Sequence, residues 1–152
     1  MIKFHDYYIT FQEVPNEISL VFTITNCQNR CEGCHSPWLR EDVGNDLVSG
    51  MAKIISRYKD DITCVCFMGE GNDSESLGKC IAAVNKMGLK TCLYTGRDYI
   101  TQGYHLDYLK VGPYNKELGA LDSPTTNQRM LKWNNNKGEY ENITSWFWRK
   151  KV

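Results

Sequence analysis

No stretch of this 152-residue chain approaches the about 18 consecutive apolar residues that a membrane span requires. The opening Met1-Ile2-Lys3-Phe4-His5-Asp6 lacks the apolar core of a secretory leader, which makes the cytoplasm the expected compartment. Charge of neither sign is in excess. Eighteen basic and eighteen acidic residues cancel, so the footprint of a nucleic-acid binder is missing. Neither nucleic acid nor membrane is an expected partner. There is no internal repeat and no long low-complexity tract, and the length predicts one domain over residues 1–152.

Cysteine, by contrast, is abundant. Seven cysteines without a leader argue for a reducing compartment and for metal binding over disulfides. Three of them, Cys27, Cys31 and Cys34, stand in Asn26-Cys27-Gln28-Asn29-Arg30-Cys31-Glu32-Gly33-Cys34-His35, a C-x3-C-x2-C spacing directly after a strand-like run. Three thiolates hold one iron–sulfur cube and leave its fourth iron without a protein ligand. An open metal position is where chemistry takes place, whereas a closed one is structural. The alternative is a structural zinc site made by the same three cysteines and His35. Against it, His35 directly follows Cys34, which makes joint ligation of one small ion awkward, and no second Cys/His pair stands at a finger-like distance.

The other four cysteines read as core. Cys64 and Cys66 share one face of a strand-like run, Cys80 falls in an amphipathic helix pattern, and Cys92 in another strand-like run. A second cluster built from them is the alternative, but they contain no C-x2-C pair.

Periodicity organises the remainder. Alternation predicts strands over Tyr7–Gln12 and Ser19–Thr25 with a turn at Pro15-Asn16, and short apolar runs predict strands over Thr63–Met68, Lys90–Tyr94 and Tyr108–Val111. Helical spacing predicts a helix over Asp46–Tyr58 capped by Asn45. A second helix starts at the Asn72/Glu75 pair and stops at Gly88. Ser123–Asn127 and Asn134–Gly138 read as turns, and the apolar group from Ile143 through Trp146-Phe147-Trp148 as a final strand or a cover for the sheet edge. Alternating strands and helices give an α/β fold with a mostly parallel sheet. About 130 residues from Ser19 onward are too few for eight βα units, so a partial, open (β/α) barrel is expected.

In such sheets ligands sit outside the carboxyl ends of the strands. Three of those ends carry candidate site residues: the cysteine loop, Met68-Gly69-Glu70, and Tyr94-Thr95-Gly96. The plain alternative for the second is a βα turn whose glycines supply special backbone angles.

The cysteine spacing resembles the signature of the radical S-adenosylmethionine (SAM) superfamily. That resemblance implies a 4Fe–4S cluster held by Cys27, Cys31 and Cys34, whose free iron is chelated by the amino and carboxylate groups of S-adenosylmethionine. One electron then cleaves the cofactor to methionine and a 5′-deoxyadenosyl radical. Met68-Gly69-Glu70 is similar to the superfamily's Gly-Gly-Glu stretch, with Met68 in place of the first glycine; the resemblance assigns it to the cofactor's ammonium, which a carboxylate and bare carbonyls suit. It also places Gly33, Cys34, His35, Thr95 and Gly96 at the cofactor, Gly33 departing from the aromatic residue common there.

Further segments narrow the likeness. Asn26-Cys27, Cys31-Glu32-Gly33-Cys34, Tyr94-Thr95-Gly96, Asp107 through Tyr114 with its Gly112-Pro113, and Asn127-Gln128-Arg129 occur in that order. Together they resemble the activating proteins of anaerobic ribonucleoside-triphosphate reductases, from about Ile18 to Trp133. Val111 stands where relatives often have an acid, so a polar contact from there is either absent or supplied by Asp107 or Lys110. The resemblance implies removal of hydrogen from a glycine of the reductase large subunit, with a flavodoxin-like protein as electron donor. A pyruvate formate-lyase activator would share the cysteine motif, and a non-enzymatic metal-binding module is the remaining alternative. Trp38, Tyr114 and the Trp146 group are core or interface, Arg30 and Arg97 are candidates to neutralise negative charge, and His5 and His105 read as surface residues.

Overall fold

The strand-like runs assemble into one sheet in the computed structural model, which describes residues 1–26, 41–97 and 104–148. Its strands are β1 (Lys3–Thr10), β2 (Ser19–Ile24), β3 (Asn45–Asp46), β4 (Cys64–Met68), β5 (Lys90–Tyr94), β6 (Tyr108–Val111), β7 (Arg129–Asn134) and β8 (Glu139–Asn142). They lie in the order β3-β1-β2-β4-β5-β6-β7-β8. Two helices, α1 (Leu47–Tyr58) and α2 (Ser74–Lys86), are the α-helices among the described residues.

This overturns the expected barrel. The sheet is mixed: β2, β4, β5 and β6 run parallel, giving three parallel pairings. The other four pairings are antiparallel and flank that centre on both sides. Parallel neighbours need long crossovers, whereas antiparallel ones need only a tight turn. Helical spacing is present in the connections that hold α1 and α2, but the chain after Val111 has none. There the Asn134–Gly138 turn, closed by Gly138 N–H donating to Asn134 O at 2.8 Å, returns the chain as the β7–β8 hairpin. An eight-stranded mixed sheet with two short helices is therefore the architecture, not a helix-rich (β/α) barrel.

Period-two alternation sorts the side chains to two faces. Leu20, Phe22, Ile24, Val65, Phe67, Leu93, Leu109 and Val111 form one cluster with Leu47, Met51 and Ile55 of α1 and Leu77, Cys80, Ile81 and Val84 of α2. Val21, Cys64, Cys66, Cys92, Tyr108 and Met130 form a second cluster on the other face. Neither α1 nor α2 contributes to that cluster; Val14, Leu121, Ile143, Trp146 and Phe147 do. The last apolar group is thus neither a strand nor an edge cover: it is a 3-10 helix, Thr144–Trp148, over the second face. Burial on both sides explains why every residue of β2 is buried.

The four cysteines outside the C-x3-C-x2-C motif are all buried and free. Burial pushes the thiols of Cys64 and Cys92 far up and that of Cys80 up to about 11. Neutral thiols of this kind pack as small hydrophobes, in line with the core reading.

Local boundaries shift for identifiable reasons. Asn45 is drawn into β3 against Phe4, so the cap of α1 falls to Asp46, whose carboxylate accepts from Val48 N–H at 3.1 Å. In α2 the cap is Asp73, not Asn72, accepting from the backbone N–H and the hydroxyl of Ser76. Gly88 ends that helix region as expected, at φ +78°. The first strand begins at Lys3 instead of Tyr7, because the register slips between Phe4 and Tyr7, a bulge that alternation does not show. Among the described residues no helix is long and apolar enough to cross a membrane.

At the amino ends of the parallel strands, Glu17 is buried in a polar knot. Its carboxylate accepts from Tyr108 Oη at 2.6 Å, Thr63 Oγ1 at 2.8 Å and Lys90 Nζ at 3.0 Å. Burial pushes this carboxyl up, but the three donors and the Lys90 charge outweigh it, and it is held below its ordinary range. A depressed carboxyl stabilises the fold above its unfolded value and loses that contribution as pH falls through its folded value. The urea midpoint of the wild type should therefore drop below about pH 4.5, and Glu17→Gln should flatten that acid limb while lowering stability at pH 7 by about 1–3 kcal/mol. Parallel midpoint-against-pH curves for the two proteins would remove Glu17 from this role.

Candidate functional site

The opposite, carboxyl ends of β2, β4, β5 and β6 carry the sequence-predicted site residues that are described, Gly69, Glu70, Thr95 and Gly96. Beyond β2, Thr25 N–H donates to Lys3 O at 3.0 Å and Thr25 Oγ1 to Val43 O at 2.6 Å. Asn26, at φ +59°, donates its N–H to Glu41 O at 2.9 Å. One hydrogen bond thus holds together the two ends of the segment between Asn26 and Glu41. The intervening residues 27–40 carry Cys27, Cys31, Cys34, Gly33 and His35, with Arg30 and Trp38; these lie outside the described residues.

The return is tight. Gly44 sits at φ +109°, where a Cβ would lie 2.2 Å from Phe4 O. No side chain fits between this segment and β1.

The turn after β4 folds against the same stem. Gly69, at φ +110°, donates its N–H to Tyr94 O at 3.0 Å, which extends the β4–β5 ladder by one bond. A Cβ on Gly71 would lie 3.1 Å from Ile24 Cγ2 and 3.3 Å from Thr25 O. The glycines of this turn thus meet a local requirement, close approach to the end of β2. Between them, Glu70 pairs with Arg97, Oε2 to Nε at 3.1 Å. The Glu70 side chain is only 14% exposed against 49% for Arg97, so the carboxylate is fixed in the wall while the guanidinium reaches solvent. Glu70, Gly71, Asn72, Asp73, Ser74, Arg97 and Tyr104 line an open cleft of about 280 Å³. Hydrogen bonds from Ser76, then the chain's amino terminus, hold the Asp73 carboxyl well below the usual range.

Beyond β5, the buried Thr95 does not present its hydroxyl to the cleft; Thr95 Oγ1 accepts from Arg97 N–H at 3.1 Å, inside its own turn. Gly96 follows it within that turn. Thr95 N–H donates to Lys110 O at 2.9 Å and Gly112 N–H to Arg97 O at 2.6 Å, which ties the turn to the end of β6.

Beyond β6, Gly112 takes φ +102°, and a Cβ there would lie 3.2 Å from both Asn127 O and Gln128 Cα. Asn127 Nδ2 donates to Pro113 O at 3.2 Å, and the buried Gln128 brings Nε2 within 3.5 Å of Gly112 O. Gly112-Pro113 and Asn127-Gln128, fifteen residues apart in sequence, are thus one contact. Of the two neighbours considered for a polar contact near Val111, Lys110 is at this edge and Asp107 is not. Asp107 accepts from Thr91 N–H at 2.9 Å at the amino end. Val111 itself faces the helices.

The edge therefore offers an acceptor, Glu70, paired with the half-exposed Arg97 of the neighbouring strand end, with Lys110 buried at the next. That donor set suits a ligand carrying both an ammonium and a carboxylate. The Glu70–Arg97 pair escaped the sequence reading, which named Lys110 only as an alternative to Asp107 for a polar contact near Val111 and did not foresee its bonds to Thr95 O and Gly112 O. Among the described residues no three His, Cys, Asp or Glu side chains are grouped to hold a metal. Compared with the models of known protein families and with curated proteins, the chain gives no match, so its own residues carry the reading.

Proposed function

We propose that this chain is an activating enzyme of the radical S-adenosylmethionine class, acting on a glycine of an anaerobic ribonucleoside-triphosphate reductase. The observation that carries the reading is a convergence. The C-x3-C-x2-C segment departs from the stem that the Gly69–Gly71 turn touches, on the same sheet edge as the Gly112-Pro113/Asn127-Gln128 contact. A barrel is not required; a parallel edge that gathers these segments is enough.

In this reading Cys27, Cys31 and Cys34 hold a 4Fe–4S cluster, and Glu70, Arg97, Thr95 and Gly96 border the amino-acid end of S-adenosylmethionine, with Gly33 and His35 beside the cluster. When bound, the cluster and cofactor supply a carbon radical able to take hydrogen from a glycine Cα. The chain's own part is to fix the ligand: the Glu70 carboxylate meets the ammonium, and the Arg97 guanidinium balances the carboxylate. In this reading a protein partner, the reductase large subunit, closes the open face. A flavodoxin-like protein is the electron donor of this scheme.

The test is anaerobic reconstitution with iron and sulfide, then mixing with the reductase and S-adenosylmethionine under reducing conditions. A persistent carbon-centred radical on the reductase, seen by electron paramagnetic resonance only when all components are present, is the expected result. Colourless protein without iron, or a small-molecule product formed at full rate with no partner, overturns the proposal.

A further inference from the structure

A lysine buried in a sheet is an expensive choice, because an ammonium sheltered from water must be repaid by its bonds. Lys110, in β6, is 8% exposed. A lysine with no task at its tip would run its stem along the apolar surface and lift its charge into solvent. Here the tip turns inward, and Nζ donates to Gly112 O at 2.7 Å and to Thr95 O at 3.2 Å. The ring of Tyr94, the cross-strand partner of Lys110, lies beneath it with its centroid 5.9 Å from Nζ.

The two carbonyls belong to different strand ends. Thr95 begins the turn that follows β5, and Gly112 the one that follows β6. Thr95 N–H to Lys110 O and Gly112 N–H to Arg97 O are further bonds between these strand ends. Charge-assisted bonds from one ammonium to both carbonyls are the stronger kind and fix the orientation of two peptide planes at once. A trans peptide that turns its C=O towards Lys110 turns the following N–H the opposite way. The lysine therefore sets how the Thr95–Gly96 peptide is presented, and it acts through backbone that no side-chain substitution at Thr95 or Gly96 would report.

We propose that Lys110 is a positioning residue for the S-adenosylmethionine site, its ammonium locking the turns after β5 and β6 into the form that the cofactor binds. The assignment rests on the activating-enzyme reading above. It is tested with iron-loaded full-length protein carrying Lys110→Met, which keeps the length of the stem and removes the ammonium. Tyr108→Phe, at the far end of the same strand, is the comparator for a general loss of stability. Three quantities are read: iron content, S-adenosylmethionine affinity by equilibrium dialysis, and hydrogen exchange at the Arg97 and Gly112 amides. Lys110→Met should keep its iron, bind the cofactor about tenfold more weakly and exchange both amides about tenfold faster. Tyr108→Phe should lose stability with cofactor affinity unchanged. Affinity within about twofold of wild type in Lys110→Met, or an equal loss in Tyr108→Phe, overturns the assignment. Wild-type protein that binds iron but no S-adenosylmethionine overturns the activating-enzyme reading and the assignment with it.

Discussion

Cys31→Ala should leave the protein without iron. Two thiolates cannot hold a cube that needs three, so the visible absorbance of the reconstituted protein and its iron content should both fall to background, and Cys27→Ala and Cys34→Ala should do the same. The contrast lies with the buried thiols. Cys80→Ala or Cys66→Ser should retain the cluster and lose only stability, roughly 1–3 kcal/mol, as core substitutions do. Anaerobic reconstitution followed by iron analysis and absorbance decides the matter. Iron kept by Cys31→Ala and lost by Cys66→Ser would move the ligands to the second face of the sheet.

Gly44→Ala should be the most damaging single substitution at the base of the site, although it adds one carbon. That carbon would stand 2.2 Å from Phe4 O, a backbone atom that no side-chain rotation can move aside. The residue also needs φ +109°, a conformation costly for any side chain. Overpacking and backbone strain together should cost roughly 3–5 kcal/mol, a large share of the stability of a small domain. A urea titration measures the loss, with Gly88→Ala as the comparator: its φ is also positive but nothing lies within 4 Å of the added carbon. Equal midpoints for the two variants would show that the clash with Phe4 is relieved by movement of the stem.

The sheet's centre was legible because its strands are short apolar runs bounded by turn residues. β5 (Lys90–Tyr94) and β6 (Tyr108–Val111) match expectation residue for residue, and β2 and β4 differ by one end residue. The flanks were not legible. β7 reads Arg-Met-Leu-Lys-Trp-Asn and β8 Glu-Tyr-Glu-Asn, half polar and only partly buried, and their pairing is a property of the hairpin that joins them. The expected barrel came from the central βα alternation taken together with the chain length, which carries no sign of the antiparallel flanks. At the site, the glycines and Glu70 carry local signals, whereas the Glu70–Arg97 pair and the reach of Lys110 are set by which strand ends become neighbours. Parallel register decides that, and no local pattern encodes it.

The closure of the cysteine segment at its base has a consequence for how this chain tolerates change. Asn26 and Glu41 are joined by their own hydrogen bond, and Thr25 is tied to Val43, so the two ends of the connection are held at a fixed spacing. The entropy of closing a connection grows slowly with its length, about 0.6 kcal/mol for each doubling. A change in the length of the connection between those ends therefore costs little in closure entropy, whereas one methyl group at Gly44, three residues past the closure, meets Phe4 O. Tolerance at this base is set by position and not by the size of the change: a single carbon weighs more at Gly44 than several residues of added connection would in closure entropy.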